Sequence, residues 1–228
     1  HNSKTAINAI ELSKKVGFSN ISFDLMFNLP NMTLEKWEKN LEKAIELNPE
    51  HISCYSLTLE EDTMLDKLVN KKIISLPYEN ESIIQFNKTK SYLEQAGFEH
   101  YEISNYCKPD FKSKHNSAYW KAEEYIGLGA AAHSFNIYSR SWNPENIEEY
   151  ISNINNNIPP FTEILSEEDK YNEYIMLSLR TKEGIDEKYI ENNFPQYLPH
   201  FKRQKEKAKD LFKNPWLLND RIAIELMI

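Results

Sequence analysis

The sequence predicts an α/β fold, and three observations carry that prediction. Residues 21–58 read strand, helix, strand with short links, the unit that sets two strands parallel. Gly17 and Gly97 sit in matching settings, Lys-Lys-Val-Gly-Phe and Glu-Gln-Ala-Gly-Phe, each closing a helical pattern and leading into a strand-like run. From about residue 144 the strand signals fade, and the C-terminal part reads as mostly helical.

The first helix carries Ala6, Ala9, Ile10, Ser13 and Val16 on a narrow face of small and apolar residues. The strand after Gly17 puts Ile21, Phe23, Leu25 and Phe27 on one side and Ser22, Asp24 and Met26 on the other. Leu29-Pro30-Asn31 breaks that run. Thr33 is a suitable N-cap for a helix bearing Leu34, Trp37, Leu41, Ala44 and Ile45, which Asn48-Pro49 stops. A second strand covers 51–58. The next helix carries Ile83, Phe86, Leu93 and Ala96, with Lys90 interrupting the stripe, and after Gly97 a further strand ends near Ser104. Three strands are too few for a closed eight-stranded barrel. A barrel-type sheet and an open one both satisfy the pattern.

Residues 105–120 are polar and aromatic, and 125–128 reads as a short strand. Ile158-Pro159-Pro160 reads as a linker, because two prolines cannot continue a helix. Ser166-Glu-Glu-Asp169 opens a helix with acids in its first turn, where they suit the helix dipole. The Lys-rich stretch 202–213 alternates with Glu and apolar residues, as a solvated helix face does. Arg221-Ile-Ala-Ile224 looks strand-like. The organisation expected is an α/β region over 1–143, a connecting helix and linker over 144–160, and a mostly helical domain over 161–228.

The 228 residues are enough for one large domain, or a medium one with an appendage. An apolar share of 40% with 12% aromatics fits a packed chain rather than a disordered one. The net charge of −8 argues against a nucleic-acid surface, which needs a basic face. No apolar run approaches the ~20 residues that cross a bilayer, so no transmembrane segment is expected. With no signal peptide in view, the expected compartment is the cytoplasm. Cys54 and Cys107 lack the close spacing of a metal site and read as buried free thiols. The ends at His1 and Ile228 read as cut.

Four features bear on chemistry. Asp24 is an acid in an apolar strand, near the end where α/β sheets bind ligands; the alternative is a structural carboxylate paired locally. Gly127-Leu-Gly129-Ala-Ala-Ala-His133 holds two of the five glycines and lets a backbone approach something closely, either a ligand or another segment of chain. His115-Asn116-Ser117-Ala118-Tyr119-Trp120 groups imidazole, amide, phenol and indole, suited to metal ligation and stacking or simply to packing. The fourth feature is negative: no nucleophile–base pair, phosphate loop or Cys/His metal set is legible.

At these residues the chain resembles the oxygen-independent coproporphyrinogen oxidase-like family of radical S-adenosylmethionine (SAM) proteins. Ile21-Ser-Phe-Asp-Leu-Met-Phe-Asn-Leu-Pro30 with Thr33 is similar to the family's Asp-Leu-Ile-Tyr-Gly-Leu-Pro strand and turn. His51-Ile-Ser-Cys-Tyr-Ser-Leu-Thr58 resembles its next barrel strand. Tyr101-Glu-Ile-Ser-Asn105, His115-Asn-x-x-Tyr-Trp120 and Gly127-Leu-Gly-Ala-Ala-Ala-His-Ser134 are similar to its heme-chaperone branch, and residues 173–186 to the start of its C-terminal domain.

The resemblance implies the C-terminal part of a partial (β/α) radical SAM barrel followed by a small, mostly helical domain. It implies that Asp24 contacts SAM at the barrel mouth, that Thr58 lines the same pocket, and that the backbone at His133 lies beside the adenosine. It associates His115, Asn116, Tyr119 and Trp120 with heme. The intact parent would bind SAM and one 4Fe–4S cluster, would take heme or a porphyrin as ligand, and would pass heme to a recipient protein. A coproporphyrinogen III dehydrogenase and a non-catalytic scaffold are the alternatives. Asn28 stands where the family commonly has Gly, and Asn31-Met32 where it has Gly-Gln; asparagine tolerates the left-handed conformation that such a turn needs. His1 matches the residue before the family's mid-barrel helix. The family's three-cysteine cluster motif is not among these residues, so the chain alone is expected to be inactive.

Overall fold

Helix ends in the first part of the chain are fixed by local side-chain chemistry. The computed structural model describes residues 2–228, so His1 and its assignment lie outside the described residues. Asn2 accepts the Thr5 amide at the start of α1 (Ser3–Lys15), and Thr33 caps α2 (Leu34–Leu47) through the Lys36 amide. Asn48 closes α2 with a left-handed φ of 46°, and Pro49 follows it. The strands β1 (Ser22–Phe27) and β2 (His51–Ser56) flank α2 and pair in parallel, as the strand–helix–strand pattern predicts. Helices α3 (Met64–Asn70) and α4 (Glu79–Gln95) lead to β3 (Glu99–Glu102) and β4 (Asn105–Cys107).

The third strand expected before Ser104 is β3, and a further strand follows it. The polar and aromatic segment after Ser104 turns back as β4, which inserts antiparallel between β2 and β3, giving the order β1-β2-β4-β3. The cause is alternation within a short strand. Tyr106 faces the core beside Ile52 while Asn105 and Cys107 face the other way, a period of two that a run of three residues hides.

One face of this sheet is covered by α2 and α4. Phe27, Trp37, Leu41, Ala44, Ile52, Cys54, Leu93, Phe98 and Tyr106 form its core. The α4 stripe is more polar than its apolar residues suggest, because the side chains buried there are Gln85, Thr89 and Leu93. Each polar group is satisfied. The Trp37 indole N–H donates to Thr89 Oγ1 at 2.9 Å, Thr89 donates to the Gln85 carbonyl, and Gln85 Oε1 accepts the Asn28 amide at 3.0 Å.

The chain divides into two compact units, one through Ser113 and one from Lys114 to Ile228. The second unit begins with α5 (Lys114–Trp120) and holds an antiparallel sheet of β5 (His133–Asn136), β6 (Ser139–Trp142) and β7 (Phe161–Ile164). Helix α6 (Ile147–Asn155) lies between β6 and β7 in sequence. Pro159-Pro160 therefore leads into a strand. The expected strand over 125–128 is reduced to a single bridge between Tyr125 and Phe135.

Helices α7 (Glu167–Leu179), α8 (Glu187–Asn193), α9 (Leu198–Lys207) and α10 (Asn219–Leu226) complete this unit. The helix expected to open at Ser166-Glu-Glu-Asp169 is α7, and Ser166 and Asp169 cap it reciprocally. Residues 221–224 are helical, not a strand: Ile222, Ala223 and Leu226 share one helix face in a core with Tyr171, Ile175 and Phe201. On α9, Lys202 and Lys205 pair with Glu187 while Phe201 is buried, so the Lys-rich face is solvated as read. Among the described residues no helix is long and apolar enough to cross a membrane.

Leu41 is fully buried in the α2 seam. Leu41→Ala is expected to lower unfolding free energy by about 2–5 kcal/mol, read as a lower urea midpoint with little change in slope.

Candidate functional site

The face of the first sheet away from α2 and α4 is built by strand alternation. Parallel register puts Asp24 opposite Ser53, and antiparallel register puts Asn105 opposite Ser53 and Glu102 opposite Asn105. One polar row thus crosses four strands on the side away from the helices. Asp24, third of the six β1 residues, sits in mid-strand rather than at the strand end, and it is exposed. Ser53 and Asn105 are buried, and Asn105 Oδ1 has no hydrogen-bond partner. A buried amide oxygen without a donor calls for a ligand that donates.

Next to this row, Ser22 Oγ lies 2.8 Å from His51 Nδ1, and His51 Nε2 lies 2.8 Å from the Tyr101 hydroxyl. The Tyr101 oxygen also accepts the Ser113 amide at 3.2 Å. Both ring nitrogens of His51 are engaged. Burial pushes its pKa below the ordinary 6.5, against the pull of the Asp24 carboxylate. The ring is therefore neutral at pH 7.

The turn after β1 keeps its shape without glycine. Asn28 and Asn31 take φ values of 61° and 60°, the left-handed conformation the sequence anticipates. Asn28 also gains contacts that glycine could not make. Its Oδ1 accepts from Ser82 at 2.6 Å, and its Nδ2 donates to the Leu57 carbonyl at 3.3 Å. Thr58 is exposed, just beyond β2 and at the same end of the parallel pair as this turn.

The second unit holds the other predicted residues. His115 and Tyr119, one turn apart on α5, meet edge to face at 4.9 Å, and Tyr119 meets Tyr125 edge to face at 4.8 Å. His115 is exposed, Tyr119 is 38% exposed and Asn116 is half-buried. Trp120 is separate from that cluster and lies under the Arg180 guanidinium at 4.8 Å. His133 opens β5 and stacks on Trp142 at 6.0 Å, and Trp142 stacks on Phe161 at 6.1 Å. The close approach at the glycine-rich segment is a chain crossing. A Cβ on Gly127 would collide with the His133 backbone, and the Gly127 amide donates to Ser134 Oγ at 2.9 Å.

Asp24 and Thr58 thus belong to the first unit, and His115, Asn116, Tyr119, Trp120 and His133 to the second. Sequence reasoning missed Ser53, Asn105 and the His51 and Tyr101 pair. His51, Ser53 and Tyr55 at every second position were the available signal.

No family model matches the chain. Heme chaperone HemW of Lactococcus lactis is 32% identical over 226 residues, 99% of this chain and 59% of that protein. Heme chaperone HemW of Bacillus subtilis is 34% identical over 200 residues, 87% of this chain and 53% of that protein. Among solved structures, the radical SAM enzyme coproporphyrinogen III oxidase (HemN) of Escherichia coli superposes with a TM-score of 0.78 at 17% identity. That match covers 100% of this chain and 59% of that one. The fold is accordingly that of part of a radical SAM protein, α/β with a helical C-terminal region. The chain belongs to the HemW/HemN-like radical SAM family. It spans little more than half the length of the curated relatives named here.

That family implies SAM and a 4Fe–4S cluster in the parent protein. The cluster does not fit the thiols present. Cys54 is in the helix-covered core, where burial drives its pKa far up, and Cys107 is on the opposite side of the sheet with its thiol raised to about 11 by burial. Cluster ligation needs thiolates, and no group of three metal-ligating side chains occurs among the described residues. SAM fits better. The orphaned Asn105 oxygen, the Ser53 hydroxyl and the Asp24 carboxylate offer acceptors to its ammonium, amino and hydroxyl donors.

The unfolded His51 ring takes up its proton near pH 6.5, whereas the folded ring resists to lower pH. Its stabilisation is complete above that value and is lost as pH falls through the folded pKa. Unfolding free energy is expected to fall by up to about 1.4 kcal/mol per pH unit in that window. His51→Asn should flatten the slope, as measured by urea unfolding at a series of pH values.

Proposed function

We propose that this chain forms the heme-binding half of a heme-handling radical SAM protein, which holds heme for transfer to a recipient protein in the cytoplasm. The observation that carries the reading is the exposed His115 imidazole at the start of α5, set edge-on against Tyr119. A neutral imidazole is a good iron ligand, and an aromatic neighbour that fixes its ring lowers the entropy lost on ligation. The HemW relatives support it by name, since both are called heme chaperones. In this reading Asn116 and Trp120 support α5 around the ligand.

Asp24, Ser53 and Asn105 would orient SAM on the first sheet, with Thr58 at the rim. Together with a reduced cluster, SAM supplies radical chemistry in this class of protein. The contribution of these residues is to bind and to orient.

Hemin titrated into the full-length parent should give a Soret shift, and His115→Ala should weaken binding by about tenfold or more. Equal binding by the variant removes His115 from the role. Turnover of coproporphyrinogen III by the reconstituted parent would overturn the chaperone reading in favour of a decarboxylase.

A further inference from the structure

At the C-terminal end of α5 lies a cavity of about 460 Å³ whose lining includes the rings of Trp120, Phe135, Tyr174, Tyr189 and Phe194. Its volume falls in the range of small-molecule sites, about 300–1,000 Å³. Trp120, Tyr174, Tyr189 and Phe194 form the wall. The wall is held in place before any ligand arrives. The Tyr174 hydroxyl donates to the Asp186 carbonyl at 3.1 Å and accepts the Asp186 amide at 2.9 Å, and its ring stacks on Tyr189 at 4.4 Å. Aromatic rings fixed in this way favour a flat apolar partner.

The polar groups at this cavity are short of acceptors. The Trp120 indole N–H is buried without a hydrogen-bond partner, and so is Nε of Arg180, whose guanidinium lies over that indole. Lys121 and Lys170 add positive charge to the lining. Lys170 reaches Glu167, an exposed carboxylate that water screens. The acid in the lining, Glu173, is already neutralised by Arg140. Buried donors beside two ammonium groups are matched by a carboxylate.

The geometry points to this cavity as a docking site for the carboxylate-bearing edge of a tetrapyrrole, distinct from the His115 iron ligand. The ring edge lies against Tyr174 and Phe194, and a propionate meets Trp120, Lys121 and Lys170. The inference rests on the heme reading above, but it requires no iron.

The test uses metal-free protoporphyrin IX and its dimethyl ester, followed by porphyrin fluorescence anisotropy with the full-length protein. Protoporphyrin IX is expected to bind. Leu177→Trp, which fills the cavity, should weaken both porphyrins by about tenfold. Lys121→Gln combined with Lys170→Gln changes only polar ends, so it should spare the fold. It should weaken the free acid by about fivefold and leave the ester unaffected. Wild-type affinity in both variants overturns the site. Binding of hemin but not of protoporphyrin IX overturns it too while leaving the heme reading intact, whereas loss of both ligands removes the heme reading itself.

Discussion

Everything in the first unit depends on the register between β1 and β2. Side chains alternate along a strand, so that pairing sends Phe23, Leu25 and Phe27 toward α2 and α4 and leaves Asp24 in line with Ser53 and Asn105. A slip of one residue would bury the carboxylate among Trp37 and Leu41 and turn phenylalanines outward. The cost of an unpaired buried carboxylate is what forbids it. The same constraint that assembles the core therefore also assembles the polar row on the opposite face.

The legible parts of the fold were those with a strong local signal. Thr33 as a cap and the first-turn acids after Ser166 marked helix starts that the structure keeps. A glycine-closed helix, alternation over 21–27 and the strand–helix–strand order located β1, β2 and the parallel unit. What escaped was short or non-local. Three residues are too few for alternation to declare β4, and Arg221-Ile-Ala-Ile224 has a composition that suits strand and buried helix equally. Gln85 and Thr89 were passed over because polar residues on a helix are normally outward; here each finds a partner on another element or in the previous turn.

The site residues divide in the same way. Asp24 stood out because a lone acid in an apolar strand is unusual. Asn105 did not, because its importance comes from a missing partner, which only coordinates reveal. The motif around α5 was visible as composition, but its two-sidedness was not. Helical geometry sends His115 and Tyr119 to one side with Tyr125, while Trp120 lies beneath Arg180. The glycine-rich segment was rightly suspected of a close approach. At Gly127 the neighbour is the chain's own backbone.

The asparagine in the turn after β1 has a consequence of its own. A glycine at that position would be the cheapest left-handed residue and also the loosest, since it surrenders the most freedom when the chain orders. Asn28 has fewer conformations to lose, and its amide latches onto Ser82 on α4 and the Leu57 carbonyl beyond β2. The loop is thereby stiffened into a fixed lip. Any molecule resting against it meets a surface of settled shape, not a hinge that swings to receive it.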